Sequence, residues 1–287
     1  MRINKSNKIN KYSKPFPYIV IENFLEEESF KNLEKNFPSI QEFQSQKNKI
    51  NRMHYDTSYG DKIYEDFKSR SVAFESFHKW VFSKDFSNFF LKIFEKDIEN
   101  ELEKSFLVEN INLFEIVDFN FEDTEIINKK NIKKSDKTKI LYPRLDVGTG
   151  LKNYGVNTGG KGPHIDNPQR LISILYYCGG FSSIEGGEHR IYEIDTHAND
   201  LKISKTIFPK KNTLIASIQN NIAFHDVNPI SDINGQRNAF YMAISSNLKL
   251  WKNLKRDKIN MLYNKNRYNF SFVDKILTKF FLSKKNA

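Results

Sequence analysis

The sequence predicts an α+β fold, with amphipathic helices first, a β-sandwich or barrel after them, and a basic helical segment at the C-terminus. Three observations predict it. From residue 63 to 104 apolar side chains recur at helical spacing. After Leu107 short β-type runs alternate with turn residues, which is the pattern of a sandwich or barrel. From Leu248 onward the texture is helical and basic again, ending FSFVDKILTKFFLSKKNA.

Taken in order, residues 18–21 form a β-type run, and Asn23 is the candidate N-cap of a helix that carries Glu26, Glu27 and Glu28 in its first turn. Phe30, Leu33 and Phe37 share one face of that helix, and Pro38 ends it. Residues 41–61 are polar and are expected as loop. Their RMHYDTSYGD stretch offers Arg52, His54 and Tyr55 as groups that could cover a substrate, although an ordinary surface loop is the simpler expectation. Phe67, Phe74, Phe77, Val81, Phe86, Phe90 and Phe94 then mark two or three helices whose Phe stripe is expected to be core, not a cofactor pocket. Strands are expected over 108–121, 140–147, 170–177, 189–194, 213–218, 223–227 and 238–245. The charged stretch FEDTEIINKKNIKKSDKTK reads as a solvated hairpin tip or insertion. The glycines of VGTGLKNYGVNTGGKGP fit neither GxGxxG nor GxxxxGK[ST], so a phosphate loop is excluded there. The expectation is one catalytic domain over 1–287, with helical support in 1–105, a β core in 106–247 and a helical extension in 248–287.

Composition limits the function classes. With 39% hydrophobic, 28% charged and 14% aromatic residues, the 287-residue chain is too aromatic for a disordered protein and too polar for a membrane-embedded one. No stretch approaches the roughly 18 apolar residues of a spanning helix, and no apolar segment follows the basic start to make a signal peptide, so a cytoplasmic location is expected. Cys178 is the only cysteine, which excludes an internal disulfide and zinc-finger or CxxC chemistry. A metal must therefore rely on His and carboxylate. The net charge of +10 invites a nucleic-acid partner. The same chain holds 32 Asn against 7 Ala, a bias that an AT-rich genome produces whatever the function, so nucleic acid is not the expected partner.

The chemistry is carried by GPHIDNPQRLISILYYCGG. In a strand, side chains at i and i+2 share a face, so His164 and Asp166 can offer an imidazole and a carboxylate to one point. His225, in FHDVNPI, supplies a second imidazole from another β-type run, and Arg237 opens the apolar run NAFYMAIS. Two His and one carboxylate leave coordination positions open, and this donor set suits Fe(II) better than a closed structural zinc site.

In order, HIDNPQRLISILYYCGG, GGEHRIYEI, FHDVNPI and an Arg entering the last strand resemble the Fe(II)/2-oxoglutarate-dependent dioxygenases, specifically the prolyl-hydroxylase-like branch. The resemblance covers about residues 140–247, and PFPYIVIENFL followed by helices is similar to the way many of these enzymes begin. It implies a double-stranded β-helix (jelly-roll) barrel with the N-terminal helices packed outside. His164, Asp166 and His225 would be the iron ligands, and the cosubstrate would be 2-oxoglutarate with ascorbate as reductant. Arg237 would pair with the far carboxylate of 2-oxoglutarate, Tyr177 would hydrogen-bond the same carboxylate, and Gly186 and Gly187 would match the family's glycine pair. His189 and His197 are expected to face away from the iron. The implied reaction hydroxylates an unactivated carbon with release of succinate and CO2.

The substrate is less constrained. A peptidyl-proline is favoured by the HIDNP and YY elements, while a free amino acid, a small metabolite or a nucleotide-linked sugar fits the same scaffold. A nucleic-acid demethylase is disfavoured because no second Arg follows Arg237 in the last strand. A barrel that has lost catalysis and serves as a binding module, or a cupin that does not use 2-oxoglutarate, would be the readings outside the family. Residues 270–281 interleave Phe272, Val273, Ile276, Leu277, Phe280 and Phe281 with lysines. They are expected to pack across the barrel, an anionic membrane surface being the alternative.

Overall fold

The computed structural model describes residues 2–4, 6–45, 50–51, 54–118, 138–150, 152, 162–195, 197 and 200–252. The chain opens with two antiparallel strands, β1 (Ile9–Tyr12) and β2 (Tyr18–Glu22). Then come helices α1 (Glu27–Asn36) and α2 (Ile40–Ser45). The short strands β3 (Ile50–Asn51) and β4 (His54–Ser58) lead to α3 (Lys62–Arg70), α4 (Val72–Val81), α5 (Lys84–Ile93) and α6 (Glu95–Lys104). A single 3-10 turn at Ile111–Leu113 precedes β5 (Glu115–Ile116). The remaining strands are β6 (Ile140–Gly150), β7 (Arg170–Gly186), β8 (His189–Asp195), β9 (Asp200–Ile207), β10 (Thr213–Ile218), β11 (His225–Val227) and β12 (Ile230–Ser246).

Two sheets result. The larger runs β1-β2-β10-β7-β12-β6-β4-β3, with β5 added in parallel to β6, and the smaller runs β11-β8-β9. The His164 segment joins the smaller sheet through a bridge to His225 in β11. From β6 onward the chain therefore crosses between the sheets: β6 large, His164 small, β7 large, β8 and β9 small, β10 large, β11 small, β12 large. This is a double-stranded β-helix, a jelly-roll closed by two facing sheets.

Period-2 alternation decides what each face of the large sheet meets. Tyr176 and Phe240 are opposed in the β7–β12 register and point to the helices. There they join a continuous aromatic layer, with Phe67 stacked on Phe74 at 4.0 Å between ring centroids and Phe77 at 4.8 Å from Phe240. Their neighbours Tyr177, Ala239 and Leu175 point the other way and pack with Ile191 and Ile215 between the sheets. The Phe stripe is core, as its helical spacing predicts, and each such ring contributes roughly 1.5–3 kcal/mol by leaving water.

Several elements differ from the sequence reading. Asn23 is no N-cap: it sits at φ 50°, and α1 begins after Glu26. Residues 41–61 are not all loop, since α2 ends within them and β4 extends the large sheet by pairing with β6. The strand expected over 108–121 is a 3-10 turn and the two-residue β5, its last residues lying outside those described. β9 lies outside the expected strands; it buries Leu201 and Ile207 but exposes Ile203, and a bulge interrupts its pairing with β8. Residues 248–252 do not start a helix. Trp251 is fully buried, bridges Phe106 and donates from Nε1 to Arg170 O at 3.1 Å. The basic segment 253–287, most of the 121–139 insertion and the glycine loop around 153–161 lie outside the described residues. Among the described residues no helix is long and apolar enough to cross a membrane.

One buried group in the helical layer has a measurable consequence. His78 on α4 is 8% exposed and its Nδ1 lies 2.7 Å from Tyr64 Oη. Burial, aided by nearby Lys68, lowers its pKa from 6.5 to about 4. A His whose folded pKa lies below its unfolded one takes up protons preferentially when unfolded. Stability should therefore fall as the pH drops from 6.5 towards 4, by roughly 1 kcal/mol per pH unit from this residue. Denaturant titrations of parent and His78→Gln at pH 7, 6 and 5 check this, the variant having the shallower slope.

Candidate active site

The two histidines are fixed by backbone before their side chains do anything. His164 N donates to His225 O and His225 N donates to His164 O, both at 2.9 Å, which sets the two imidazoles beside each other with ring centroids 4.7 Å apart. Each Nδ1 is held by a carbonyl two residues back, His164 by Gly162 O at 2.9 Å and His225 by Ala223 O at 3.0 Å. A carbonyl can only accept, so each Nδ1 carries a proton, and Nε2 is the ring nitrogen left to face a metal. Asp166 completes the set, its Oδ1 4.0 Å from His164 Nε2 and its Oδ2 3.7 Å from His225 Nε2. All three donor atoms lie within 4.8 Å of one another.

Asp166 is held as a carboxylate. Burial opposes its ionisation, but Arg170, His225, His164 and the Ser173 hydroxyl together outweigh burial and keep it well below the ordinary carboxylate range. Arg170 Nη1 lies 2.9 Å from Oδ2, and Ser173 Oγ donates to the same oxygen. Next to His225, Asp226 is clamped by Arg190 through two bonds of 2.8 and 2.6 Å and by Tyr192 Oη at 3.0 Å, which pins β11 to β8. Two imidazoles and one carboxylate, without sulfur, form a donor set that could hold a divalent metal with open positions. The side chains of His164, Asp166 and His225 retain 20%, 11% and 12% exposure, so the site is reachable from one side.

The triad opens into a cleft of about 230 Å³. Arg237, 1% exposed, is on its wall. It donates from Nη1 to Gly187 O at 3.3 Å and from Nη2 to Tyr241 Oη at 3.2 Å, while its Nε is buried without a partner. No carboxylate of the described residues lies within ion-pair distance of it. A buried guanidinium without a counter-ion is costly, and an anionic ligand is what such a group accommodates. Gly187 makes room for it: at φ +74° it lacks a Cβ that would stand 3.3 Å from Nη1. The glycine pair thus meets the requirement for close approach, as well as making a turn.

The structure brings His164, Asp166, His225 and Arg237 to one cleft. Tyr177 is placed differently from the expectation. Its hydroxyl donates to Gly187 O at 3.0 Å and its ring lies 5.9 Å from the Arg237 guanidinium carbon, so it backs Arg237 and does not line the cleft. His189 is also a correction. It does not face away: it is 7% exposed, lines the cleft and has its ring centroid 5.5 Å from that of His225, because it faces the same way as Ile191, the residue opposite His225. His197 is exposed in a turn and stays outside the cleft. Of the candidate covering segment, Arg52 and the His54 side chain lie outside the described residues, Tyr55 packs on Phe43, and the residue that reaches the cleft is Asp56. Arg170, Ser173, Tyr241, Asp56 and Asp146 were not singled out from sequence. Arg170 is four residues from Asp166 and Tyr241 four from Arg237, but only the β7 and β12 geometry shows that they meet.

No family model matches the chain, and no curated protein matches it. Among solved structures, it is similar to a prolyl 4-hydroxylase from Phytophthora capsici, with 13% identity and a TM-score of 0.45 over 79% of this chain and 58% of that one. It is similar to a prolyl hydroxylase from Trichoplax adhaerens in complex with a hypoxia inducible factor oxygen degradation domain peptide fragment, with 14% identity and a TM-score of 0.39 over 79% and 83% of the two chains. A viral collagen prolyl hydroxylase from Paramecium bursaria Chlorella virus-1, in a 2OG complex, gives 14% identity and a TM-score of 0.37 over 79% and 94%. The chain spans little more than half the length of the first of these. All three TM-scores lie below 0.5, so the fold assignment rests on the strand order given above.

Proposed function

We propose that this chain is an Fe(II)- and 2-oxoglutarate-dependent dioxygenase of the prolyl-hydroxylase-like branch, acting as one catalytic domain that hydroxylates an unactivated carbon. The observation that carries this reading is the pairing within one cleft of a His164, Asp166 and His225 donor set with a buried Arg237 that has no counter-ion among the described residues. The two Nε2 lone pairs and the Asp166 carboxylate would hold the metal. Arg237 would take the far carboxylate of 2-oxoglutarate, with Tyr177 supporting the guanidinium from behind. The half-buried cleft would limit water around the reacting groups. Bound there, Fe(II) would supply the Lewis-acid and redox chemistry that couples decarboxylation of 2-oxoglutarate, giving succinate and CO2, to hydroxylation by O2, with ascorbate as reductant.

A peptidyl-proline is the first substrate to test, on the strength of the HIDNP and YY motifs. A specific observation favours a second reading. Asp56 and Asp146 both line the cleft from β4 and β6, and two carboxylates suit a small substrate bearing an amine, such as a free amino acid.

Anaerobic addition of Fe(II) and 2-oxoglutarate to the protein should produce a visible charge-transfer band, and admission of air should yield succinate. Absence of both would sink the reading. Mass spectrometry after incubation with a lysate then separates the substrate classes, a 16 Da gain on a protein or on a small molecule.

A further inference from the structure

His189 places a second polar group beside the anion anchor. Its Nδ1 is buried and has no hydrogen-bond partner in the structure. The ring lines the same cleft as the triad and Arg237. Its position along β8 is informative: His189 is opposite Val227 of β11, two residues from Ile191, which is opposite His225. In the other direction it is two residues from Gly187, whose carbonyl receives both Arg237 Nη1 and the Tyr177 hydroxyl. Along the chain His189 therefore lies between the position that faces His225 and the carbonyl that receives Arg237.

We propose that His189 hydrogen-bonds the far carboxylate of the 2-oxo acid alongside Arg237 and so makes the cleft selective for dicarboxylates. This rests on the 2-oxoglutarate reading. A carboxylate has lone pairs enough for Arg237 Nε, Arg237 Nη2 and an imidazole N–H at once, and it would satisfy the two buried nitrogens that lack partners. A hydrocarbon at position 189 would fill the space and leave that oxygen short of a donor.

The test compares two ligands on Mn(II)-loaded protein by isothermal titration. One is 2-oxoglutarate and the other 2-oxovalerate, in which a methyl group replaces the far carboxylate. His189→Leu should weaken 2-oxoglutarate roughly tenfold or more while moving 2-oxovalerate by less than about twofold. His189→Gln, which keeps an N–H donor, should restore most of the loss. Unchanged Mn(II) affinity in both variants would show an intact triad. If His189→Leu weakens both ligands equally, the side chain acts by packing and the proposal is overturned; unaltered 2-oxoglutarate affinity overturns it too. A parent protein that fails to bind 2-oxoglutarate overturns the functional reading itself, a result distinct from a parent that binds and a variant that matches it.

Discussion

Arg237→Leu should remove 2-oxoglutarate binding and leave metal binding in place. Arg237 is buried at 1% exposure and is not one of the metal donors, so its loss removes the anion anchor without touching the triad. Charge-assisted hydrogen bonds contribute about 1.5–3 kcal/mol each, and losing two of them weakens binding by roughly a hundredfold or more. The sign of the effect on the unliganded protein is opposite to ordinary intuition. With no carboxylate within ion-pair reach among the described residues, Arg237 is an uncompensated buried cation, and leucine there should hold or raise the melting temperature. The stabilisation that 2-oxoglutarate gives the parent should disappear in the variant. Thermal melts with and without 2-oxoglutarate, beside anaerobic Fe(II) titration, measure all of this. Undiminished 2-oxoglutarate affinity in Arg237→Leu would show that the site is misassigned.

His225→Ala should abolish turnover with the fold intact. The backbone bridge between residues 164 and 225 uses only N and O atoms and survives the substitution. The side chain loses one hydrogen bond, Nδ1 to Ala223 O, worth about 1 kcal/mol. Outer groups that merely orient metal ligands cost roughly 10–100-fold in affinity or activity when removed, and a direct ligand should cost more. Circular dichroism should match the parent, while Fe(II) affinity and succinate formation fall together. A variant that still binds Fe(II) as the parent does would remove His225 from the ligand set.

His164 and Asp166 are legible as a candidate pair because their signal is local. An HxD triplet in a β-type run puts its two side chains on one face by strand periodicity alone, and the Phe spacing of α3 to α5 puts those rings on one side of each helix. The strands around β6, β7, β8, β10 and β12 were legible for the same reason. Where two-residue pieces are stabilised only by a neighbour, as in β3 and β5, nothing local marks them. β4 was hidden because its residues HYDTS are polar, and it persists as a strand by pairing along β6.

Periodicity alone therefore makes the order of layers readable, and the family resemblance adds His164, Asp166, His225 and Arg237 as candidates, which the structure brings to one cleft. Tertiary structure decided the rest of the cleft. Tyr177 turns its hydroxyl to Gly187 O, behind the arginine, because the connection from β7 to β8 brings that carbonyl within reach. His189 enters the cleft because the pairing of β8 with β11 sets it opposite Val227 and on the face that carries His225, although nothing in GGEHRIYEI announces the direction. Asp56 and Asp146 come together across β4 and β6 from positions far apart in the chain. Each of these depends on which strand lies beside which and in what register, and register is fixed by the packing of whole faces, a property that no short stretch of residues contains.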